Sequence, residues 1–442
     1  MNESRLIFSQ RCWWKNRLQP ATVVIEKSKI TAVLDHQVNG AEDAGTDILM
    51  PGIIDTHVHI NEPGRVNWEG FDTATRAAAA GGITTLIEMP LNADPVTTSL
   101  ENFHAKIKAT TNKLHVNVGF YGGLVPGNTD QLERMIRAGV WGIKCFLTHS
   151  GIDEFPKVTE TDLEKAMPIL SNYDIPLLVH CELESECSHE LDLFPTQYKA
   201  YLASRPKKWE NDAIAMMIRL CRKYHCRVHI VHVSSAEALL LIEEAKKEGL
   251  LLTAETCAHY LFFDAAHIPD ASCIYKCAPP IREKENNEKL ISALLNGVLD
   301  FITSDHSPAP PEIKELESGN LQKAWGGIAG LQFLLSASWT SLKDRMSLEQ
   351  FIPLLTEKPA TFLNIINRGR IEPGALADLL IWNPDQSMTI RKEDILFRHK
   401  ISPYIGKEVF GIVKQTIVDG ETVFKDDRFL IENKGIVLRK VS

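Results

Sequence analysis

Two histidines, His57 and His59 in "DTHVHI", stand two residues apart, so both side chains leave an extended strand on the same side. Neutral imidazoles at that spacing can grip one metal ion together, although a His-x-His pair also arises by chance. His180 closes the apolar run "IPLLV" and His232 closes "RVHIV". Either one alone also reads as a hydrogen-bonded structural histidine. Asp305 closes a further run in "TSDHSP", where the alternative is an N-cap for the next helix. Lys144 lies inside "GVWGIKCFLTH" (139–149), a stretch that reads as a buried strand. A lysine is rarely tolerated there without a partner, unless it snorkels out of the strand end.

Strand alternation sorts the neighbours of these residues. His229 and His232 are three apart and so should face opposite ways, which leaves His232 at the strand end as the ligand and His229 as structural. Cys145 and Cys181 directly follow Lys144 and His180, and alternation turns them toward the helix layer, where a small thiol packs well. His306 faces away from Asp305 and Ser307 faces with it. His259 shares a face with Glu255 and Cys257 and reads as a supporting or structural residue.

These residues fall on a regular series of elements. Short apolar runs occur at 52–60, 84–90, 115–123, 142–148, 176–182, 228–235, 251–259 and 301–308, with helical stretches such as 69–82, 129–139, 210–224 and 235–249 between them. Eight strands alternating with helices predict an α/β fold, a parallel (β/α)8 TIM-like barrel with its chemistry at the carboxyl ends of the strands. A doubly wound open sheet is the runner-up, but no Gly-x-Gly-x-x-Gly turn follows the first strand. Residues 1–50 and 373–442 carry short β-like runs and turn signals such as Asp419-Gly420. The two ends are expected to meet in a small β-sandwich, with the metal-dependent barrel spanning 51–372.

Composition narrows the partners. A net charge of −9 argues against a nucleic-acid or anionic-membrane surface. No apolar run is long enough to span a bilayer, and the start lacks a signal-peptide pattern. Nine cysteines, an odd number set mostly in apolar segments, suit reduced buried thiols and a cytoplasmic location. No Cys-x-x-Cys pair is present to build a structural zinc knuckle.

The joint pattern is more specific than its parts: five strand ends supply His-x-His, Lys, His, His and Asp in that order. It resembles the amidohydrolase superfamily, and within it the cyclic amidohydrolases, from about Pro51 to Asp378 and including the late "GALADLLIW". The resemblance implies two Zn2+ ions per subunit, with Co2+ or Mn2+ as alternatives. His57 and His59 would bind one ion with Asp305, and His180 and His232 the other. Lys144 would bridge both as N6-carboxylysine. Burial lowers a lysine's pKa, and the neutral amine attacks carbon dioxide to give an anionic carbamate. The resemblance further implies a homotetramer, a small-molecule substrate, and Asp305 as the proton-transferring residue.

The loop after His59 separates the branches of that superfamily. Dihydroorotases typically have arginine where this chain has Asn61, and dihydropyrimidinases lack the "EPG" segment. "EPGRVNWEG" (62–70), "IEMPLN" (87–92) and "KCAPPIR" (276–282) resemble the allantoinase branch, with Ala278 where relatives often have serine. This implies hydrolysis of the cyclic amide of allantoin to allantoate in purine and ureide catabolism. The alternatives are a dihydropyrimidinase/hydantoinase, a dihydroorotase, or a metal-free scaffold relative of dihydropyrimidinase. Arg65, Asn92, Ala278, Ser307 and Ala329 are the expected substrate contacts, with Trp68 as a further specificity residue.

Overall fold

The computed structural model describes residues 4–440. Eight parallel strands form the barrel: Ile53–Val58, Ile83–Glu88, Asn117–Phe120 continued by Gly122–Gly123, Ile143–Phe146, Leu177–His180, Val228–Ile230, Leu252–Cys257 and Phe301–Thr303. The third strand changes partners at Tyr121, whose N–H bonds Glu88 at 3.0 Å, while the N–H of Gly122 bonds Gly142 at 3.0 Å. A parallel bridge between Val58 and His306 closes the last strand onto the first. The fourth strand is buried along its whole length, as expected where helices cover one face and the barrel interior the other.

A helix follows each strand and packs its apolar stripe on the barrel. Thr129–Ala138 is typical: Leu132, Met135 and Ile136 face inward, and Gly139 ends the helix at φ 104°, which a side chain would resist. The helix Glu160–Asn172 starts from a capping box between Thr159 and Asp162.

The chain ends form a second unit. Ile48–Pro51 pairs in parallel with Arg5–Trp14 and antiparallel with Leu379–Thr389, joining both termini in one nine-stranded sheet. Its core, including Ile7, Val23, Leu49, Leu379 and Ile417, is distinct from the barrel core. Asp419 and Gly420 form the expected hairpin turn, both left-handed. The tail departs from its expected place in the sandwich. It runs along the barrel's third strand, with Leu438 N–H bonded to Val118 at 2.8 Å and the Trp141 indole donating to Leu438 at 3.1 Å. Val116 and Val118 leave their ladder edge open there, and an added strand satisfies it. Among the described residues no helix is long and apolar enough to cross a membrane. The cysteines are all unpaired, and only Cys187 is not buried.

Candidate active site

The six singled-out side chains meet at the carboxyl mouth of the barrel. The first strand, whose register against the second shifts between Asp55 and Val58, ends at Val58, and His57 and His59 both line the mouth. Their Nε2 atoms lie 3.2 and 3.5 Å from one oxygen of Asp305. The His57 ring is 5.4 Å from that of His232, which in turn is 4.6 Å from that of His180. Lys144 is fully buried below them, with its Nζ 4.9 Å from the Phe146 ring centroid and without a hydrogen-bond partner. His232 and Asp305 both hold left-handed backbone, at φ 40° and 42°. Such conformations cost free energy, and the surrounding structure must enforce them.

That backbone changes the reading of the sixth strand. Strict alternation would set His229 and His232 on opposite faces, but the strand ends at Ile230 and the turn at His232 brings its ring inside. His229 lies deeper in the barrel, 3.0 Å from Glu255 and stacked on Phe301.

Comparison with known proteins agrees with this geometry. Residues 48–423 match the amidohydrolase family. The chain belongs to the amidohydrolase family. It is 42% identical to an allantoinase of Streptomyces avermitilis over 96% of this chain and 95% of that one. An allantoinase of Arabidopsis thaliana is 42% identical over 87% of this chain and 79% of its own. Among solved structures, the L-hydantoinase (dihydropyrimidinase) of Arthrobacter aurescens superposes with a TM-score of 0.93 at 31% identity, covering 98% and 99% of the two chains.

As in other members of a metal-dependent hydrolase family, the donor set has to suit a cation, and here it does. Donor atoms of His57, His59 and Asp305 all lie within 4.8 Å of one another. Nδ1 of His232 and Nζ of Lys144 are buried with no protein partner, an arrangement that is costly unless something else satisfies them. Burial pushes Lys144 down to about 8 and His59 down to about 4, so this imidazole is neutral at physiological pH. Burial alone would raise Asp305, but the adjacent His57 and His59 imidazoles outweigh it and hold the carboxyl at about 2.

Two carboxylates that orient the imidazoles had no assigned role from sequence. Glu255 accepts from His57 Nδ1 at 2.5 Å, from His229 at 3.0 Å and from Thr56, so His57 presents Nε2 to the mouth. Burial works against its charge, yet His57 and His229 hold it well below the usual carboxylate range. Glu182 accepts from His180 Nε2 at 2.7 Å and is itself held by Arg205, whose Nε lies at 3.1 Å. The shared face of Glu255 and His259 on the seventh strand was the only hint in the sequence. Glu255→Gln should swing the His57 ring loose and weaken metal affinity by roughly 10–100-fold. Metal titration of the apoprotein checks this; wild-type affinity in the variant would remove Glu255 from the orienting role.

Above the six residues opens a cavity of about 710 Å3, lined by Arg65, Trp68, Asn92, Ala278 and Ser307 among others. The amide of Asn92 also reaches His59 Nδ1 at 3.3 Å, so it steadies that ring. Gly327 lets the backbone pass close to Ser307, whose carbonyl an added Cβ would meet at 2.4 Å, and Gly327 itself lines the wall. Ala329 is a correction: it is outside this cavity, and its carbonyl accepts from Ser402 Oγ at 2.7 Å. The bridge between His306 and Ile328 turns the chain away from the mouth just before Ala329. The His306 ring packs, tilted by 41°, against that of Phe397.

Proposed function

We propose that this chain hydrolyses allantoin, opening the five-membered ring at its cyclic amide to give allantoate. The observation that carries this reading is a convergent histidine–aspartate–lysine cluster beneath a cavity in which Arg65, Arg205 and Lys276 each bind protein groups and Lys323 is exposed. Arg65 pairs with Glu154 at 3.1 Å and Arg205 with Glu182 at 3.1 Å. The Lys276 ammonium donates to the Ala324 carbonyl at 2.6 Å. Such a wall suits an uncharged ring with a polar arm. The similarity to curated allantoinases supports the same substrate.

His57, His59, His180, His232 and Asp305, with Lys144 as a bridging carbamate, would hold two divalent ions, zinc by the chemistry of the donors and cobalt or manganese as alternatives. Such ions supply Lewis-acid polarisation of the ring carbonyl and make hydroxide available near neutral pH. Asp305, ionised at neutral pH, accepts the proton of the attacking water as the carbon–oxygen bond forms. It returns that proton to the ring nitrogen as the carbon–nitrogen bond breaks, so one proton is carried from nucleophile to leaving group. Asn92 and the Glu255 and Glu182 carboxylates keep the imidazoles in register during this transfer. Buried Nη1 of Arg65 has no partner in the protein and is a donor for a ureide carbonyl. Trp68 meets Trp325 edge-on at 4.8 Å and walls off the ring from water. The convergence of all six side chains favours an enzyme over a metal-free scaffold. The free and mostly buried cysteines support a reducing compartment such as the cytoplasm, and the family resemblance supports a homotetramer.

The choice between substrates is testable. Dihydroorotate carries a carboxylate that must be desolvated, and Asn61, buried with its amide on the Pro308 carbonyl at 3.2 Å, offers it no charge. On one metal-loaded preparation, kcat/KM for allantoin should exceed that for dihydroorotate by at least about a hundredfold. Comparable values, or a preference for dihydroorotate, would replace this reading with a dihydroorotase.

A further inference from the structure

Residues 396–404, which follow the long sandwich strand Leu379–Thr389, leave the sandwich and pack against the loops 61–70 and 326–331. Arg398 N–H donates to a Glu69 carboxylate oxygen at 3.2 Å, and the Arg398 guanidinium donates to the Glu69 carbonyl. His399 Nε2 donates to the Asn67 carbonyl at 2.7 Å. Ser402 holds the Ala329 carbonyl, and the Tyr404 ring packs where a Cβ on Gly330 would approach it to 3.2 Å. The Phe397 ring lies 4.7 Å from that of His306.

His306 links these contacts to the reacting groups. Its Nδ1 accepts from Gly330 N–H at 3.3 Å, so Nε2 carries the hydrogen, and it faces the Glu69 carboxylate at 3.6 Å. Its carbonyl accepts from His59 N–H at 2.8 Å, at the bridge that closes the barrel. One segment from the C-terminal half therefore touches the loop 61–70 and the loop 326–331, the two that flank His59 and Asp305. Glu69 is fully buried. Its carboxylate also accepts from Thr73 Oγ1, and its carbonyl accepts from the Arg398 guanidinium, so the loop is tied to the segment through both groups. A buried acceptor that loses its donor is costly, so the loop must shift to regain one.

We propose that residues 396–404 form a strap that positions the substrate-facing wall, and that Glu69 is the positioning residue through which it acts on Arg65 and Trp68. The kinetic arm of the test rests on the allantoin reading; the structural arm does not. In the metal-loaded full chain, the double variant Arg398→Ala/His399→Ala and the single variant Glu69→Gln should exchange backbone hydrogen faster in residues 61–70 and 326–331. Exchange in the barrel strands should match the wild type. KM for allantoin should rise at least about fivefold with kcat changed less, because a displaced wall binds the substrate poorly in its reactive pose. Arg398→Lys, which keeps a donor toward the Glu69 carbonyl, should recover much of the loss.

Unchanged exchange in those two loops overturns the strap. So does faster exchange spread evenly over the chain, which marks general destabilisation, and so does faster local exchange with unchanged kcat/KM. A wild-type protein that fails to open allantoin would defeat the functional reading alone, and the exchange pattern would still decide the strap.

Discussion

Lys144→Ala is expected to lose nearly all turnover and most of its bound metal while staying folded. A supporting residue at a metal site costs roughly 10–100-fold when removed, and a group that bridges two ions should cost more, at least about 10³-fold. The fold should survive because Lys144 Nζ has no protein partner to leave behind. Removing an unpaired buried amine relieves a desolvation cost, and Lys144→Met, which also fills the space, should leave the apoprotein at least as stable as the wild type. Turnover, metal stoichiometry and thermal melting of the apoprotein measured together separate these effects. Short carboxylic acids added to Lys144→Ala should restore part of the activity by supplying the missing pair of oxygens. Wild-type activity and metal content in Lys144→Ala would falsify the bridging role.

Asp305→Asn should lower kcat by about 10²-fold or more, the scale of losing a positioned acid–base group. The amide is the same size but cannot take a proton at neutral pH. In the wild type the carboxyl is ionised down to about 2, because the neighbouring imidazoles outweigh the effect of burial. The variant also removes an oxygen that lies 3.2 Å from His57 and 3.5 Å from His59, so metal content must be measured on the same sample. Full metal occupancy with unchanged kcat would take Asp305 out of the proton transfer.

Much of the barrel was legible because its strands are short, buried on both faces and separated by amphipathic helices. The strand Ile143–Phe146 lies inside the apolar run at 142–148, and Leu177–His180 inside 176–182. Alternation correctly turned Cys145 toward the helices, where it packs in the main core. It failed at His232, where the strand had already ended and a left-handed residue re-aimed the ring. It also gave no sign that residues 433–440 would leave the sandwich and add to the barrel edge. The pairing that places them, Val437 beside Val118, joins positions over three hundred residues apart.

The types and order of the residues that can hold metal are properties of the sequence: each lies within or closes an apolar run, and each run forms a strand by its own hydrophobic pattern. So, too, is the absence of a cationic side chain at Asn61. The sequence could not say which groups hold those residues still. Glu255 meets His57 from 198 positions away, and Arg398 meets Glu69 from 329. Such contacts depend on barrel closure and on the return of the chain from the sandwich to the loop 61–70. Local propensity carries no information about either, because the donors and acceptors become neighbours only when the whole core is buried.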